Sequence, residues 1–539
     1  MLLPTWTLLG ALLPLATHVH ARLPDGRAHG NVPPRPTVPK ITADDAPMTD
    51  VTGAALPPLN TTYYFDQLID HTNPKLGTFK QRFWHTWEWY EEGGPIILFT
   101  PGEANADGYT GYLTNRTING QIAQQQHGAT IVLEHRYYGQ SNPAPDLSVK
   151  SLKWHTIQQA IDDLDYFANN VVLAMPGGDD VKPSTAPWVL VGGSYSGALT
   201  GWTMVNKPNL FRAGYASSAV VEAITDFWAY FEPILEHMPS NCSSDVQAAI
   251  AHIDQVFTHG TPAQISALKA NFGLGNLTHL DDVAGALRNN LWDWQSLSPD
   301  TLTEGQFFQF CDALEVQNGQ VAPAAGFGLD HALAAWGKYW NTTYLRAVCG
   351  KADVVDCLGS YDPTQDAYTD TSLDNAGRSW TWIVCNQVGF YQEGAPLGHP
   401  TLVTRLVQPS YDERQCNYYF PGAFGPNPFP APNVNQVNAA YHGWNLKVDR
   451  LFIANGHRDP WREATTSATL SPTSSTPSQP IAISDGFHCS DLITANAKVD
   501  GTVLGVQTQA LKAMAGWLEG FEPSGGKGKR ASVRLARET

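Results

Sequence analysis

Short apolar runs recur along the chain, and each breaks sharply into glycine, proline or polar residues. Residues 95–100 read PIILFT, Ala129–Leu133 reads ATIVL, and 188–191 reads WVLV before entering Gly192-Gly193. Later, 449–454 reads DRLFIA with Asn455-Gly456 directly behind it, and 481–483 is a shorter run. Runs of this length bounded by turn formers predict strands buried on both faces. Between them the period changes. Segment 155–173 carries Ile157, Ile161, Leu164, Phe167 and Val171 at helical spacing, and 198–205 predicts another helix. Strands that alternate with helices imply a parallel sheet covered by helices, an α/β fold.

The stretch 221–421 breaks that rhythm. It carries helical patterns at 246–257 and 261–272 and holds six of the seven cysteines. It predicts a largely helical insertion sitting as a cap over the sheet. The sheet domain then comes in two parts, 48–220 and 422–523. No internal repeat of fixed period is present, and 470–480 (LSPTSSTPSQP) is a low-complexity loop.

The two ends differ from the body. Residues 1–21 have the pattern of a secretory leader: an apolar stretch at 8–16, then small residues around Val19-His20-Ala21. Residues 22–47 are rich in Pro and Gly without apolar period, and predict a linker or a removable pro-segment. Residues 524–539 form a basic tail, in which Lys529-Arg530 offers a dibasic processing site. Five N-x-S/T sequons, at Asn60, Asn115, Asn241, Asn276 and Asn341, fit a secreted or vacuolar/lysosomal glycoprotein. In an oxidising compartment the seven cysteines allow three disulfides and one thiol. Connectivity does not follow from sequence. Cys349 and Cys357 suit a short closed loop; Cys385 with Cys416 and Cys242 with Cys311 are trial pairings.

Composition narrows the function classes. The chain's 539 residues are 42% apolar and 15% charged, which excludes global disorder. A formal net charge of -17 argues against a nucleic-acid binder working through a basic face. No internal apolar run reaches the ~20 residues a spanning helix needs, so no membrane partner is expected. There is no C-x-x-C pair, and Glu134-His135 does not continue into H-E-x-x-H, so neither a metal site nor a cofactor is expected. A second copy of the chain is left open as a partner.

One segment carries chemistry. Gly192-Gly193-Ser194-Tyr195-Ser196-Gly197 lies between a predicted strand and a predicted helix, the setting of a nucleophile elbow. Ser196 stands where the strict G-x-S-x-G pattern has its second Gly. A serine nucleophile needs a base, and the base needs an orienting acid, which follow it in the order Ser, acid, His. Asp459, before Pro460 at the end of a predicted strand, and His488, behind Gly486, fit that order. On pattern alone His457 competes as base, and Asp485 and Asp491 compete as acid.

The residues also resemble a known family. Phe65-Asp66-Gln67, Thr78 to Phe83, Gly102-Glu103, Glu134-His135-Arg136-Tyr137-Tyr138-Gly139-Gln140-Ser141, the Ser194 elbow, Asp459-Pro460-Trp461 and Gly486 with His488 occur in one order over roughly 60–515. Together they resemble the serine peptidases of the lysosomal Pro-Xaa carboxypeptidase and dipeptidyl peptidase II type, including the fungal acid prolyl endopeptidases. The resemblance implies an α/β-hydrolase fold with a helical, disulfide-containing cap. It implies Ser194 as nucleophile, Asp459 as acid and His488 as base, with peptide or protein substrates cut after proline. The oxyanion would be met by the backbone N–H of Tyr195 and a second N–H near Gly102 and Glu103. Trp461 is expected to border the proline pocket, with Trp382 as a second substrate contact. Many exopeptidase relatives carry Cys-Thr-Glu in the cap; here 382–387 reads WIVCNQ. The missing acid leans away from dipeptidyl-peptidase action and toward endopeptidase or carboxypeptidase action. The resemblance also implies best activity at acid pH. A rival reading is a secreted carboxylesterase or lipase, since the same machinery cleaves acyl esters.

Overall fold

The computed structural model describes residues 23, 27, 29–44, 46–301 and 305–523. The expected leader at 1–21 and the basic tail at 524–539 lie outside the described residues.

Eight strands form one mixed sheet. They are β1 (Tyr63–Leu68), β2 (Thr78–Thr86), β3 (Ile96–Phe99), β4 (Ala129–Leu133), β5 (Trp188–Gly193), β6 (Ala213–Ser217), β7 (Leu451–Gly456) and β8 (Ile481–Ser484). Their spatial order is β1-β2-β4-β3-β5-β6-β7-β8. β2 is antiparallel to both β1 and β4; every later neighbour is parallel. The apolar runs are continuous because both sheet faces are covered. In β3, Ile96 and Leu98 enter one apolar cluster, while Ile97 and Phe99 enter the other. In β5, Trp188 and Leu190 part from Val189 and Val191 in the same way. Strict alternation puts successive side chains on opposite faces. Each fully buried Ile, Leu or Val contributes about 1.5–3 kcal/mol.

Helices supply the two covers. α1 (Ile118–Gln126) and the helix Gly501–Glu519 pack on one face through Ile118, Ile122, Val506, Ala510 and Met514. α2 (Ile157–Asn170) and α3 (Ser194–Asn206) pack on the other. α2 starts where the Thr156 side chain accepts a hydrogen bond from the Gln159 N–H, and buries Ile157, Ile161, Leu164 and Phe167. These are four of the five apolar positions that predicted it. The strand order and the strand–helix junctions make this an α/β-hydrolase fold.

Between β6 and β7 the chain leaves the sheet and builds the cap from helices that include Ser240–His259, Pro262–Asn271, Gln306–Glu315, Leu329–Tyr339, Ala376–Ile383 and Pro409–Tyr419. The cap shares one continuous apolar cluster with the α2/α3 face of the sheet. Disulfides join Cys242–Cys311, Cys349–Cys357 and Cys385–Cys416, all within the cap, and leave Cys489 as a buried thiol. All three trial pairings are found.

The segment expected as a linker or a removable pro-segment does not hang free as a linker would. Its described residues form no helix or strand, in keeping with their composition, yet they are packed on the body. His29, Asn31 and Val38 are buried. The Gly30 N–H donates to the Cys357 carbonyl (2.8 Å) and the Gly111 N–H to the Ile41 carbonyl (2.9 Å). Backbone that makes no ladder of its own finds its partners in cap and sheet-domain loops.

Candidate active site

The elbow forms where β5 runs directly into α3. Ser194 is the first residue of α3 and has φ +60°, a left-handed conformation that costs a non-glycine residue energy. The turn closes because small residues let strand and helix approach. A Cβ at Gly192 would lie 2.0 Å from the Ser196 carbonyl oxygen. Ser196 does more than stay small. Its hydroxyl accepts from the Gly193 N–H (3.1 Å) and donates to the Gly193 carbonyl (2.8 Å), locking the turn. Pattern reading treats Ser196 only as a departure from the motif.

Asp459 follows the C-terminal end of β7, and His488 lies in the loop after β8. The structure brings them together. The His488 Nδ1–H donates to Asp459 Oδ1 over 2.9 Å, and both side chains are buried. The Trp461 backbone N–H donates to the same oxygen (2.9 Å), which fixes the carboxylate. The loop of His488 is tied to the elbow: the Cys489 N–H donates to the Ser218 hydroxyl, and the Val220 N–H reaches the Ser194 carbonyl. Ser194 Oγ and His488 Nε2 are buried and have no hydrogen-bond partner among the described residues. The competitors fall away on geometry. His457 and Asp485 are exposed. Asp491 is buried but accepts from the Tyr215 and Ser217 hydroxyls at 2.6 and 2.8 Å, which fastens β6 to the loop.

Burial alone pushes the His488 imidazole down, but Asp459 and Cys489 outweigh it and hold its pKa well above 6.5. Glu103 behaves oppositely to an ordinary carboxylate. Desolvation pushes it up to about 8, against the pull of Arg35 and His488, and neither carboxyl oxygen has a hydrogen-bond partner among the described residues. Gly102 beside it has φ +75° and packs on Ser196, so the 102–104 loop lies against the elbow. Tyr195 sits in the first turn of α3, where no carbonyl lies four residues back to take its N–H. Its hydroxyl donates to Nε2 of His135, whose Nδ1–H is given to the Arg136 carbonyl.

The resemblance-bearing run around Glu134 builds the floor of this site. Glu134 takes two bonds from Arg82 (2.9 and 2.6 Å) and one from the Ala106 N–H (3.0 Å), so it ties β2 and β4 to the 102–106 loop. Arg136 donates through Nε to Asp163 of α2 (2.6 Å).

Trp461 is buried in an aromatic cluster, with ring centroids 5.6 Å from Phe227, 5.3 Å from Tyr230 and 5.3 Å from Phe390. Its ring centroid lies 6.3 Å from that of His488. Its indole N–H donates to Gln295 of the cap (2.7 Å). Trp382 is not part of this cluster. Its N–H donates to the His155 carbonyl and its ring packs on Phe420 and Phe424. The cap tryptophan that shares a cavity with Trp461 is Trp380, which also stacks edge-on against Tyr195 at 5.3 Å. Two residues apart on the helix Ala376–Ile383 is about 200° of rotation, so the two indoles face nearly opposite sides.

The sequons sit on the surface at Asn60, Asn115, Asn276 and Asn341, while Asn241 is half-buried. Among the described residues no helix is long and apolar enough to cross a membrane.

Comparison with known proteins supplies the family. Two proteins from Bipolaris victoriae, serine protease vicPb and serine protease vicPa, are 36% and 35% identical over 490 and 474 residues. They cover 85% of this chain each, and 91% and 88% of their own lengths. The thymus-specific serine protease of Homo sapiens is 27% identical over 463 residues, covering 81% of this chain and 82% of its own. The family model described as serine carboxypeptidase S28 matches residues 67–509, a span that runs from β1 past His488 into the helix Gly501–Glu519. The chain belongs to the serine carboxypeptidase S28 family and is a serine-type peptidase.

Proposed function

We propose that the protein hydrolyses peptide bonds after proline through an acyl-enzyme formed on Ser194, with His488 as base and Asp459 as its orienting acid. The observation that carries this reading is the buried 2.9 Å bond between His488 and Asp459, on a loop fastened to the strained Ser194 turn. Ser194 Oγ attacks the carbonyl carbon while His488 Nε2 takes its proton. Asp459 fixes the Nδ1–H tautomer and stabilises the imidazolium. The negative oxygen is met by the Tyr195 N–H at the start of α3 and by an N–H of the 102–103 loop. His488 then protonates the leaving amine, and water, deprotonated by His488, releases the acid product.

Proline preference rests on the walls around Trp461. Flat aromatic rings make an apolar slot that suits a pyrrolidine and offers nothing to a charged side chain. The absence of the cap acid at 382–387 favours endopeptidase or carboxypeptidase action. The leader pattern, the sequons and the three disulfides support a secreted or vacuolar glycoprotein.

The acid optimum expected from the resemblance is not supported by the local charges. A general base must be neutral to act, and acid activity needs a lowered His488 pKa. Asp459 and Cys489 raise it instead. We therefore place the rise of kcat/KM above pH 6.5. Stability is pulled both ways by pH: Glu103 and Glu315 are buried acids held protonated up to about pH 8 and 7, whereas buried His29, His85 and His135 are pushed down to about 4 by desolvation and cost stability as pH falls.

The test is a panel of blocked and unblocked proline-containing peptides, with cut sites located by mass spectrometry. Cuts on the carboxyl side of proline in blocked peptides are expected. Cleavage of simple acyl esters with no peptide turnover would favour the esterase reading instead.

A further inference from the structure

Ser194 and His488 carry unpartnered polar atoms in a site whose function is to meet a substrate, yet both residues are buried. What lies over them is the chain's own segment 29–43. It starts in the cap, where the Asn31 side-chain amide donates to the Leu358 carbonyl (2.6 Å) and Arg288 donates to the Asn31 carbonyl (3.2 Å). It ends on the sheet domain, where the Tyr112 hydroxyl donates to the Pro39 carbonyl (2.8 Å) and the Gly111 N–H to the Ile41 carbonyl (2.9 Å). Between these anchors it spans the junction of cap and sheet, where the candidate triad lies.

Six residues of the crossing meet the site. Val32, Pro33 and Pro34 share a cavity with Trp461, Trp380 and Phe390. Pro34, Arg35, Thr37 and Val38 line a groove of about 690 Å³ together with His488. A Cβ on Gly193, the residue before Ser194, would lie 2.6 Å from a methyl carbon of Val38. The Arg35 guanidinium donates to the Glu103 carbonyl, in the loop proposed to complete the oxyanion site. The Arg35 carbonyl takes the Gln295 side-chain amide (2.9 Å), and Gln295 also accepts the Trp461 indole N–H (2.7 Å). Gln295 thus couples the aromatic slot to the backbone of the crossing segment.

We propose that residues 32–38 are an internal, substrate-like occupant of the peptide-binding groove, and that the segment must leave before the enzyme turns over peptides. The inference rests on the catalytic reading above. The chemistry matches on both sides: a stretch with consecutive prolines lies against aromatic walls, and its Arg35 and Val38 carbonyls accept from the Gln295 side-chain amide and the Tyr109 hydroxyl, contacts that a peptide backbone could equally take. The occupant is tethered, so its effective concentration is on the order of mM and modest contacts suffice to keep the groove filled. Beyond the anchors, Ala46 and Pro47 are exposed, a place where a protease can cut without unfolding anything. Gln295, Trp380 and the Glu103 carbonyl are then peptide-contacting groups, revealed by the segment that occupies them.

The experiment uses the full chain with a specific protease site inserted at Ala46. The rate at which a fluorophosphonate labels Ser194 is measured before cutting, and again after cutting and gel filtration. A synthetic peptide of residues 27–43 is then added back. The proposal expects labelling to rise at least ~10-fold on loss of the segment, and the peptide to slow it again in competition with a proline-containing substrate. Equal labelling of the intact and the freed protein overturns it. If the cut segment stays bound, the uncut Val38→Asp chain decides: faster labelling than the unmutated chain supports the proposal, and an equal rate overturns it. If Ser194 is labelled in no form, the nucleophile assignment fails and the segment is judged by binding alone. Displacement of fluorescent peptide 27–43 by a proline-containing peptide supports groove occupancy, and no displacement overturns it.

Discussion

The sheet and the cap solve the same burial problem by different means. The sheet's central strands are fully buried runs, with strict alternation between two apolar clusters and hydrogen bonds supplied by neighbouring strands. The cap's described ladders are two short pairs, Ile224–Asp226 with Gly389–Tyr391 and Val316–Gln317 with Gln320–Val321. The cap relies on three disulfides and on buried polar ties, such as Arg288 to the Gln392 carbonyl and to Asp412, and the Tyr411 hydroxyl to Asp282. The chemistry divides the same way. Ser194, Asp459 and His488 all stand at carboxyl ends of parallel strands, where a rigid scaffold fixes distances. Trp380, Phe390 and Gln295, which shape the slot around Trp461, come from the cap. Reactivity is thus assigned to the sheet and selectivity largely to the cap.

Asp459→Asn attacks the sheet side of that division. It should lower kcat by about 10⁴-fold, because the imidazole loses its tautomer and its partner. The same substitution removes a main raiser of the His488 pKa, so whatever activity remains should show its pH rise moved to lower pH. Stopped assays of kcat and a pH–rate profile read both effects. Trp461→Leu attacks the slot. The ratio of kcat/KM for proline over alanine substrates should fall about 10- to 100-fold while cleavage persists, the scale expected for lost apolar complementarity.

Removing Cys385 and Cys416 together tests the cap alone. Closing a loop of 31 residues by a disulfide is worth about 3.7 kcal/mol, so cap amides should exchange faster while those of β3, β4 and β5 stay protected. Hydrogen exchange by mass spectrometry separates the two regions. A uniform loss across both would show that the shared apolar cluster makes them one cooperative unit.

The smallest effect concerns pH and stability. Between about pH 4.5 and 8 the unfolded chain releases a proton from Glu103 that the folded chain keeps, so this group's contribution to stability falls as pH rises through that window, while buried His29, His85 and His135 pull the other way up to about pH 6.5. Glu315 adds to the slope up to about pH 7. Glu103→Gln should remove the falling contribution, so that between about pH 4.5 and 8 the denaturation midpoint of the variant rises relative to that of the unmutated chain as pH increases.

The legible part of the sequence follows the same boundary. Strands β3, β4, β5 and β7 announce themselves because two-sided burial leaves uninterrupted apolar runs; the edge strand β8 is legible only as a short apolar run and leaves Ile483 exposed. The β1–β2 hairpin and β6 do not. β6 reads AGYAS, whose small residues are required by crowding: a Cβ at Gly214 would lie 2.2 Å from the Met204 sulfur. Ser194, Asp459 and His488 could be ordered from chain position, but choosing Asp459 over Asp491 took contacts to Tyr215 and Ser217 that no spacing encodes. Trp382 lies away from the Trp461 cluster and Trp380 shares a cavity with Trp461; sequence spacing does not say which helix face meets the slot. The protonated Glu103, the Ser196 clamp and the packed 29–43 segment arise from contacts between distant residues. Composition reads that segment as a linker or a removable pro-segment because its apolar residues lack a period, and its packing comes from contacts with cap and sheet-domain loops and not from any helix or strand.

The central claim is that one serine at the elbow carries the reaction. Purified Ser194→Ala protein, shown to be folded by circular dichroism and by an unchanged denaturation midpoint, should be assayed beside the unmutated chain on one blocked proline-containing peptide. Loss of the post-proline cut by a factor on the order of 10⁴ or more is the predicted result. The same cut made at a rate near that of the unmutated chain would contradict the account.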